Sequence, residues 1–205
     1  EPRILSIQSF CVHSTVGQKA AMLPLQAAGV EVDPVNTVHL SCHKGYAAGA
    51  TGSAMSAHEL ALLVDGLERN GIVRQYTHVL TGYIGSEALL RAVVKEILER
   101  VPPHTFVLCD PVLGDHGKFY VPESLVGIYA SHVLPRAHVA TPNQFEAEML
   151  TGIKIAARAD ALRACDALHA LGVRLVVITT CNFAPEKDTF LVASLSPEGL
   201  PPLQP

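Results

Sequence analysis

The sequence has few charged residues and no long uninterrupted apolar run. Only 17% of its 205 residues are charged, whereas 49% are hydrophobic. A chain of this length and composition can bury a sizeable core, and it fits one α/β domain or at most two small ones. No apolar segment reaches the ~20 residues of a membrane-spanning helix. The net charge is −4 and no basic run is present, so nucleic acid is not expected as a partner.

Several common functional motifs are also absent. The sequence contains no G-x-x-x-x-G-K-[ST] phosphate loop and no G-x-G-x-x-G fingerprint. A G-x-S-x-G hydrolase motif is missing as well. The five cysteines form no C-x-x-C pair, and no signal peptide opens the sequence, so we expect reduced thiols and a cytoplasmic location. The cluster of His39, Cys42, His43 and Lys44 lacks a second half with zinc-ligand spacing, which favours a pocket lining or a loop surface.

Strand-length apolar segments alternate with helical patterns along the chain. We predict strands over 3–9, 30–38, 77–83, 105–110, 137–142, 175–180 and 189–194. We predict helices over 17–29, 56–71, 86–101, 143–152 and 158–172. Continuous Val, Leu and Ile strands separated by helices indicate an α/β fold with a mostly parallel central sheet flanked by helices. In such sheets ligands bind beyond the carboxyl ends of the strands, where this sequence places Ser9, Tyr83, Asp110, Thr141, Thr179 and Thr180.

The segment "CDPVLGDHG" presents two aspartates close to a predicted strand end. Asp110 directly follows the apolar run, and Asp115 lies five residues later between Gly114 and Gly117. Both aspartates have an ordinary interpretation as turn residues. Carboxylate oxygens at a strand end can also hold a hydrated Mg²⁺ or an alkali ion beside phosphate groups. The spacing alone leaves both interpretations open.

The segment "ATPNQFEAE" combines helix-start chemistry with further oxygen ligands. Thr141 as N-cap, Pro142 at the first helical position and Gln144 three residues after the cap match a capping box. This interpretation leaves Asn143 and Glu146 unexplained. The two are three residues apart at the positive end of one helix, where they can hold Mg²⁺ waters and phosphate oxygens. Glu146 can alternatively be a solvated partner of the helix dipole.

The segment "VVITTCN" places two threonines at a predicted strand end. Thr179 and Thr180 can simply mark a strand that fades into a loop. Their hydroxyl groups and backbone carbonyls can alternatively contact a phosphate tail or a monovalent cation.

Several of these segments together resemble pyridoxal kinases of the ribokinase-like superfamily. The resemblance rests on "ILSIQS", "VGQKAA", "PLQAAGVEVDPVNTV", "GYA", "VLTGY", "CDPVLGD", "YVPE", "ATPNQFEAEMLTG" and "VVITT", which occur in order from Arg3 to about Ser194. The resemblance implies a ribokinase-like three-layer sandwich, usually in a homodimer. It also implies ATP-dependent phosphorylation of the 5′-hydroxymethyl group of pyridoxal, pyridoxine or pyridoxamine, with Mg²⁺ or Zn²⁺ and with K⁺ or Na⁺.

The resemblance also implies a role for each matching residue. Residues implied in vitamer binding are Ser9, Val16, His43, Lys44, Tyr83 and Tyr120. Residues implied in ATP binding are Asp110, Asp115, Asn143, Glu146, Thr179 and Thr180. Residues implied at the metal and alkali-ion sites are Asp110, Thr141, Glu146 and Thr179. Within these sets, Asp115 and Tyr120 belong to the loop that closes over ATP.

The sequence departs from the family at four places. Phe10 and Thr15 stand where a histidine and an aromatic residue are usual, and Lys44 replaces the usual threonine. The loop between Asp115 and Tyr120 is short. The family's G-x-G-D motif, whose aspartate is the general base, has no counterpart in the 205 residues, so no catalytic base is assigned. We therefore expect one ribokinase-like domain over 1–205 that is incomplete at its C-terminus.

Two alternatives remain open from the sequence. One is a hydroxymethylpyrimidine kinase of the same superfamily, although the "CDPVLGD" block favours pyridoxal as the substrate. The other is a kinase-derived protein that binds a vitamer or a nucleotide without turnover.

Overall fold

The fold was analysed in a computed structural model, which describes residues 2–183 and 189–201. Its strands are β1 (Arg3–Cys11), β2 (Glu31–Leu40), β3 (Gly52–Ala54), β4 (His78–Thr81), β5 (Phe106–Cys109), β6 (Gly114–Asp115), β7 (Lys118–Phe119), β8 (Val139–Ala140), β9 (Leu175–Asn182) and β10 (Thr189–Leu195). Its α-helices are α1 (Gln18–Ala27), α2 (Ala57–Arg69), α3 (Glu87–Ala92), α4 (Leu125–Ile128), α5 (Gln144–Thr151) and α6 (Arg158–Ala170). Four strands in each of the two compact units described below form a mostly parallel arrangement flanked by helices, and β6 and β7 form a separate hairpin.

Backbone contacts divide the chain into two compact units, Glu1–Phe106 and Val107–Pro205. In the first unit the strand order is β4-β1-β2-β3, with β1 parallel to both neighbours and β3 antiparallel at the edge. The first-unit side chains that are almost completely buried include Ile7, Leu60, Tyr76, Ile84, Leu90 and Ile97. Helix α2 begins at a complete capping box, in which Ser56 and Glu59 bond each other's backbone N–H groups.

The second unit also has three parallel strands and one antiparallel strand at an edge. Its strand order is β10-β9-β8-β5, in which β8 is parallel to β5 and β9, and β10 runs antiparallel to β9. The second-unit side chains that are almost completely buried include Leu113, Tyr129, Leu134, Ile155 and Leu168. Strand β5 is followed directly by Asp110, and the pairing of β9 with β10 is irregular around Thr179 and Thr180.

The predicted α/β class, with a mostly parallel sheet flanked by helices, is confirmed. The predicted long helix over 86–101 is interrupted, because α3 widens after Ala92 into a π-helical segment, Val93–Leu98. The short strands β3, β6 and β7 and helix α4 were not predicted, since two to four residues carry too little periodicity to be recognised. The last predicted strand matches β10, and the side chains of Thr189 and Phe190 lie outside the described part of the structure.

No helix within residues 2–183 and 189–201 combines the length and apolar character needed to cross a bilayer. The five cysteines are all free thiols, in agreement with the absence of a C-x-x-C pair.

Gly17 and Gly66 provide a matched pair for testing the backbone in the first unit. Gly17 has φ +54°, and an added Cβ would overlap the backbone and hydroxyl oxygens of Ser9. Gly66 lies within α2, and no atom would lie within 4 Å of a Cβ added there. Gly17→Ala should lower the free energy of unfolding by about 2 kcal/mol or more. Gly66→Ala should raise it by about 0.5–1 kcal/mol. Urea denaturation measures both, and equal effects of the two substitutions would contradict the close approach at Gly17.

Candidate phosphate and vitamer site

Ser9 lies inside β1 rather than after it, because the strand continues to Cys11. Opposite Ser9, β2 carries one extra residue: Gln8 pairs with Asn36, but Ser9 pairs with Val38. The extra residue is Thr37, whose side chain is fully buried and donates a hydrogen bond to the Tyr83 carbonyl at 2.7 Å. A bulge of this kind redirects side chains near a strand end. The bulge lies opposite Ser9, and its Thr37 hydroxyl bonds the carbonyl of Tyr83. One irregularity of β2 thus lies next to both residues that were predicted at strand ends.

A buried glutamine anchors the start of α1 beneath this region. The Gln18 amide donates to the carbonyls of Ser6 at 2.7 Å and Val35 at 3.1 Å, and its oxygen accepts from the Ser6 hydroxyl at 2.8 Å. The Gln8 amide donates to the same hydroxyl at 3.0 Å. All these groups are buried, so their mutual satisfaction fixes the first turn of α1 against β1. Val16 and Gly17, the two residues before this turn, are therefore held close to Ser9.

Lys44 and Tyr83 are directly linked. The Lys44 Nζ donates to the Tyr83 hydroxyl at 2.8 Å and lies 5.3 Å from the centre of the ring. The neighbouring His43 is joined to the loop after β1, since its backbone N–H donates to the Ser14 hydroxyl at 3.4 Å. The first unit thus brings together His43, Lys44 and Tyr83, although about 40 residues of sequence separate the first two from the third.

The family departures Phe10, inside β1, and Thr15, in the loop after β1, differ in their surroundings. Phe10 packs edge-to-face on His39, with 5.3 Å between the ring centres. Thr15 is exposed. Cys42 bonds Ser41 and the Gly49 carbonyl, and no cluster of three metal-ligating side chains occurs among the described residues.

Glu146 is the centre of the second unit's polar cluster. Its carboxylate is buried, and it accepts hydrogen bonds from the backbone N–H groups of Leu113 at 2.9 Å and Asn143 at 2.8 Å. A weaker bond comes from the N–H of Gly114 at 3.4 Å. The carboxylate therefore joins the "CDPVLGD" segment to the start of α5. The alternative that Glu146 is a solvated dipole partner is wrong, because only 3% of the residue is exposed.

The predicted capping box at Thr141 and Gln144 is also wrong. The N-cap of α5 is Asn143, whose side-chain oxygen accepts from the Glu146 N–H at 2.9 Å, while Glu146 accepts from the Asn143 N–H. Pro142 lies before the helix, so the whole box is shifted by two residues. Gln144 does not cap the helix but bonds two residues outside it. Its amide donates to the Ile155 carbonyl and its oxygen accepts from the Asn182 N–H, both at 2.8 Å. Asn143 and Glu146 thus have a structural role that the sequence analysis did not recognise.

Asp110 is the first residue after β5, as predicted, and is half-buried. Burial raises its pKa to about 6. Burial also raises the pKa of Glu146 to about 7, against the lowering effect of its backbone hydrogen bonds, and the nearby charge of Asp110 contributes further. Neither carboxylate forms an ion pair with a described lysine or arginine. Two incompletely compensated carboxylates, one after β5 and one in the first turn of α5, offer oxygen ligands of the kind that a hard cation prefers.

Asp115 and Tyr120 belong to a tight hairpin rather than to an irregular loop. Strands β6 and β7 are joined by His116 and Gly117, which both have positive φ, at 49° and 75°. Two such residues form the mirror-image turn that matches the twist of a two-stranded hairpin. The hairpin is held to α5 by the Asn143 amide, which donates to the Gly114 carbonyl at 2.7 Å. Although 54% of Tyr120 is exposed, the partial burial of its phenol raises its pKa. The charges of Asp115 and Glu146 add to this rise.

The three threonines lie on neighbouring strands of the second unit. Thr141 follows β8 directly, and its N–H donates to the Cys109 carbonyl at 3.0 Å. Thr179 and Thr180 lie inside β9 rather than at its end, and both are exposed. The pairing of β9 with β10 shifts at this point, so that the two threonines oppose one residue and form a bulge. The Thr179 N–H donates to the Pro142 carbonyl at 2.9 Å, which places Thr179 beside the start of α5.

Sequence reasoning missed three contributors to these clusters. They are the backbone N–H groups of Leu113 and Gly114, the bulge residue Thr37, and the buried Tyr129. The Tyr129 hydroxyl has no hydrogen-bond partner within the described residues, and burial raises its pKa, with further contributions from the charges of Cys109, Asp110 and Glu146. Backbone donors and bulges have no residue signature.

The fold and the carboxylate cluster are typical of the ribokinase-like class of small-molecule kinases. In agreement, the family model for phosphomethylpyrimidine kinase matches residues 72–196, more than half of the chain. The chain is 49% identical over 180 residues to the pyridoxal kinase of Arabidopsis thaliana, a match that covers 87% of this chain and 58% of the relative. The corresponding values for the Dictyostelium discoideum enzyme are 45% over 194 residues, with 94% and 64% covered.

A solved structure gives the same result. Pyridoxal kinase from Leishmania donovani in complex with ADP and pyridoxamine has a TM-score of 0.89 and 36% sequence identity, and the match covers 96% of this chain and 71% of that one. The chain therefore belongs to the pyridoxal kinase family, as its motifs predicted. It spans about three fifths of the length of the two curated relatives described above.

The raised pKa of Asp110 predicts an unusual pH dependence of stability. A carboxyl group whose pKa is higher in the folded state stabilises the fold below its ordinary pKa of about 4, and this contribution is lost as the pH rises through about 6. Asp110→Asn should therefore raise the free energy of unfolding at pH 8 by about 1–3 kcal/mol, since one pKa unit corresponds to about 1.4 kcal/mol. At pH 4 the difference should disappear. Urea titrations without divalent cations measure both values.

Asp160→Asn is the matched control. Asp160 bonds Arg163 and the N–H groups of Ala156 and Ala157, and these bonds lower its pKa. Its substitution should destabilise the protein at pH 8, the opposite direction. Destabilisation by Asp110→Asn at pH 8 would show that Asp110 is a stabilising turn residue.

The shifted capping box gives a second prediction for this unit. Asn143→Asp keeps the oxygen that caps α5 but removes the amide that bonds Gly114, whereas Asn143→Ala removes both. The alanine variant should be about 1 kcal/mol less stable than the aspartate variant, the usual value of an N-cap. Thermal unfolding compares the two. If Thr141→Ala caused the larger loss instead, Thr141 would be the cap.

Proposed function

We propose that the protein transfers the γ-phosphate of ATP to the 5′-hydroxymethyl group of pyridoxal, pyridoxine or pyridoxamine. The observation that carries this proposal is the buried Glu146 carboxylate, which links "CDPVLGD" to "TPNQFEAE", the two most specific family blocks. The identity to curated pyridoxal kinases and the ligands of the Leishmania donovani structure support the choice of substrates. We treat residues 1–205 as belonging to one kinase domain.

In this proposal the first unit binds the vitamer. Ser9 bonds the polar groups of the pyridine ring, and Val16, His43 and Tyr83 line the ring. Support comes from the contacts that hold these residues: the close approach of Gly17 to Ser9 and the Thr37 bond to the Tyr83 carbonyl. Tyr120 belongs to the proposed vitamer residues as well, and its exposed phenol is free to contact a ligand.

The second unit binds the nucleotide in this proposal. Asp110, Asn143 and Glu146 serve the phosphates and their cation, and Thr180 lies beside the nucleotide. Phosphoryl transfer depends mainly on positioning and charge neutralisation, which is the kind of help that a rigid cluster of oxygen ligands supplies. Asp115 and Tyr120 lie on and next to the β6–β7 hairpin, whose edge carries the contacts proposed to cover ATP.

The donor groups fit a hard divalent cation and a monovalent cation. Asp110 and Glu146 form no ion pair with a described lysine or arginine, and Thr141 and Thr179 offer hydroxyl and carbonyl oxygens near the same helix start. A Mg²⁺ ion with few protein ligands keeps its waters and binds through phosphate oxygens. When bound, it would neutralise charge on the transferring phosphoryl group. Thr141, Thr179 and Asp110 are the proposed K⁺ or Na⁺ ligands; Zn²⁺ is a substitute for Mg²⁺ in this proposal.

We further propose a cytoplasmic homodimer. The support is the family membership, the free thiols and the absence of a basic run in the sequence.

A direct assay of the full-length protein tests the function. Purified protein with ATP, Mg²⁺ and K⁺ should convert pyridoxal or pyridoxine to the 5′-phosphate. Asp110→Ala should reduce kcat/KM by about 10²-fold or more, because a charge partner of the phosphates and cation is removed. Chromatographic detection of the product measures this. Retained nucleotide and vitamer binding without any product would support the non-catalytic alternative.

The match to the phosphomethylpyrimidine kinase model keeps a second substrate under consideration. Hydroxymethylpyrimidine also presents a primary alcohol on a nitrogen heterocycle. Comparing kcat/KM for pyridoxal and hydroxymethylpyrimidine in the same preparation distinguishes the two. A higher value for the pyrimidine would overturn the pyridoxal assignment while leaving the kinase class intact.

A further inference from the structure

Lys44 is placed differently from lysines that form ion pairs. The amines of Lys95 and Lys154 lie 3.2 Å and 2.7 Å from the carboxylates of Glu96 and Glu148. Lys44 donates instead to the Tyr83 hydroxyl, and no carboxylate forms an ion pair with it in the described part of the chain. No carboxylate of the described residues therefore competes with a bound molecule for the Lys44 amine.

Contacts hold the residues on both sides of the bond between Lys44 and Tyr83. On its own loop, the Gly45 N–H donates to His43 Nδ1 at 3.0 Å, and the His43 ring packs on Tyr46 with 4.6 Å between ring centres. On the other side, Tyr83 is held by the bond from Thr37 to its carbonyl. The Lys44 side chain nevertheless remains exposed, so a bound small molecule can reach it.

We propose that Lys44 forms a reversible imine with the aldehyde group of pyridoxal. The inference rests on the proposed function, which assigns Tyr83 to the vitamer site. Lysine amines form Schiff bases with carbonyl substrates, and a ligand bound beside the amine raises the effective concentration of the aldehyde. In the Lys44–Tyr83 pair, Lys44 supplies the nucleophilic amine, and Tyr83 supplies a hydroxyl group that can hydrogen-bond the aldehyde oxygen, which leaves as water.

The chemistry needs no further reagent. The Lys44 ammonium gives one proton to solvent water, the amine adds to the aldehyde carbon, and a proton moves from nitrogen to the carbonyl oxygen to give a carbinolamine. Loss of the carbonyl oxygen as water, with the two protons of the amine, leaves a C=N bond. Hydrolysis reverses both steps and releases the vitamer. The Tyr83 hydroxyl, 2.8 Å from Nζ, is positioned to hydrogen-bond the carbinolamine oxygen.

The imine gives the site a means of distinguishing the vitamers. Pyridoxal carries an aldehyde, whereas pyridoxine carries an alcohol and pyridoxamine an amine at the same carbon. Only pyridoxal can therefore be retained through Lys44. We expect pyridoxal to bind more tightly and to leave more slowly than pyridoxine in the wild-type protein.

Borohydride trapping of the full-length protein tests the proposal. After incubation with pyridoxal and reduction, peptide mass spectrometry should find Lys44 labelled about tenfold or more above Lys95 and Lys154. An excess of pyridoxine, which occupies the site without an aldehyde, should suppress labelling at Lys44 only. Lys44→Arg keeps the positive charge and a donor for Tyr83 but cannot form an imine, so it should lose the preference for pyridoxal over pyridoxine.

The control variant Lys95→Arg should leave labelling at Lys44 unchanged. Calorimetry with pyridoxine, measured in parallel, separates the two proposals. If pyridoxine binds and Lys44 is labelled no more than Lys95, the imine is excluded and the proposed function stands. If pyridoxine neither binds nor protects Lys44, the vitamer site itself is wrong, and the imine proposal falls with it.

Discussion

The second unit depends on one buried carboxylate. The Glu146 carboxylate accepts hydrogen bonds from backbone N–H groups of two segments, the "CDPVLGD" stretch and the start of α5. A buried carboxylate without such donors would be strongly disfavoured, so the two segments can only reach this arrangement together. Burial raises the pKa of Glu146 to about 7 despite these hydrogen bonds, and the nearby charge of Asp110 adds to the rise. The carboxylate that organises this unit is therefore only partly compensated by its donors.

The first unit uses a neutral counterpart. The Gln18 amide joins β1, β2 and α1 through carbonyl and hydroxyl partners that are all buried. This network fixes the backbone around Ser9 through neutral groups alone. The two units thus show a division that suits the proposed function, with a neutral framework under the vitamer residues and a charged one under the phosphate residues.

Helix starts were predictable where the chemistry is local. Ser56 and Glu59 lie three residues apart and form the capping box of α2 where the pattern predicts a helix. The same rule failed at α5, because the segment offers two overlapping boxes, Thr141 with Gln144 and Asn143 with Glu146. Propensity does not distinguish them. The buried N–H groups of Leu113 and Gly114, which lie 33 and 32 residues away from Glu146 along the chain, select the second box.

The sequence by itself determined the alternation of strands and helices, the family and the identity of the oxygen-bearing residues. Apolar periodicity and specific motifs are local properties, so they can be recognised directly in the sequence. Only the tertiary structure decided which carboxylate is buried, where the bulges at Thr37 and at Thr179–Thr180 fall, and which partner the Lys44 amine meets. These features depend on contacts between residues far apart in the chain, and burial and charge at such contacts have no local signature.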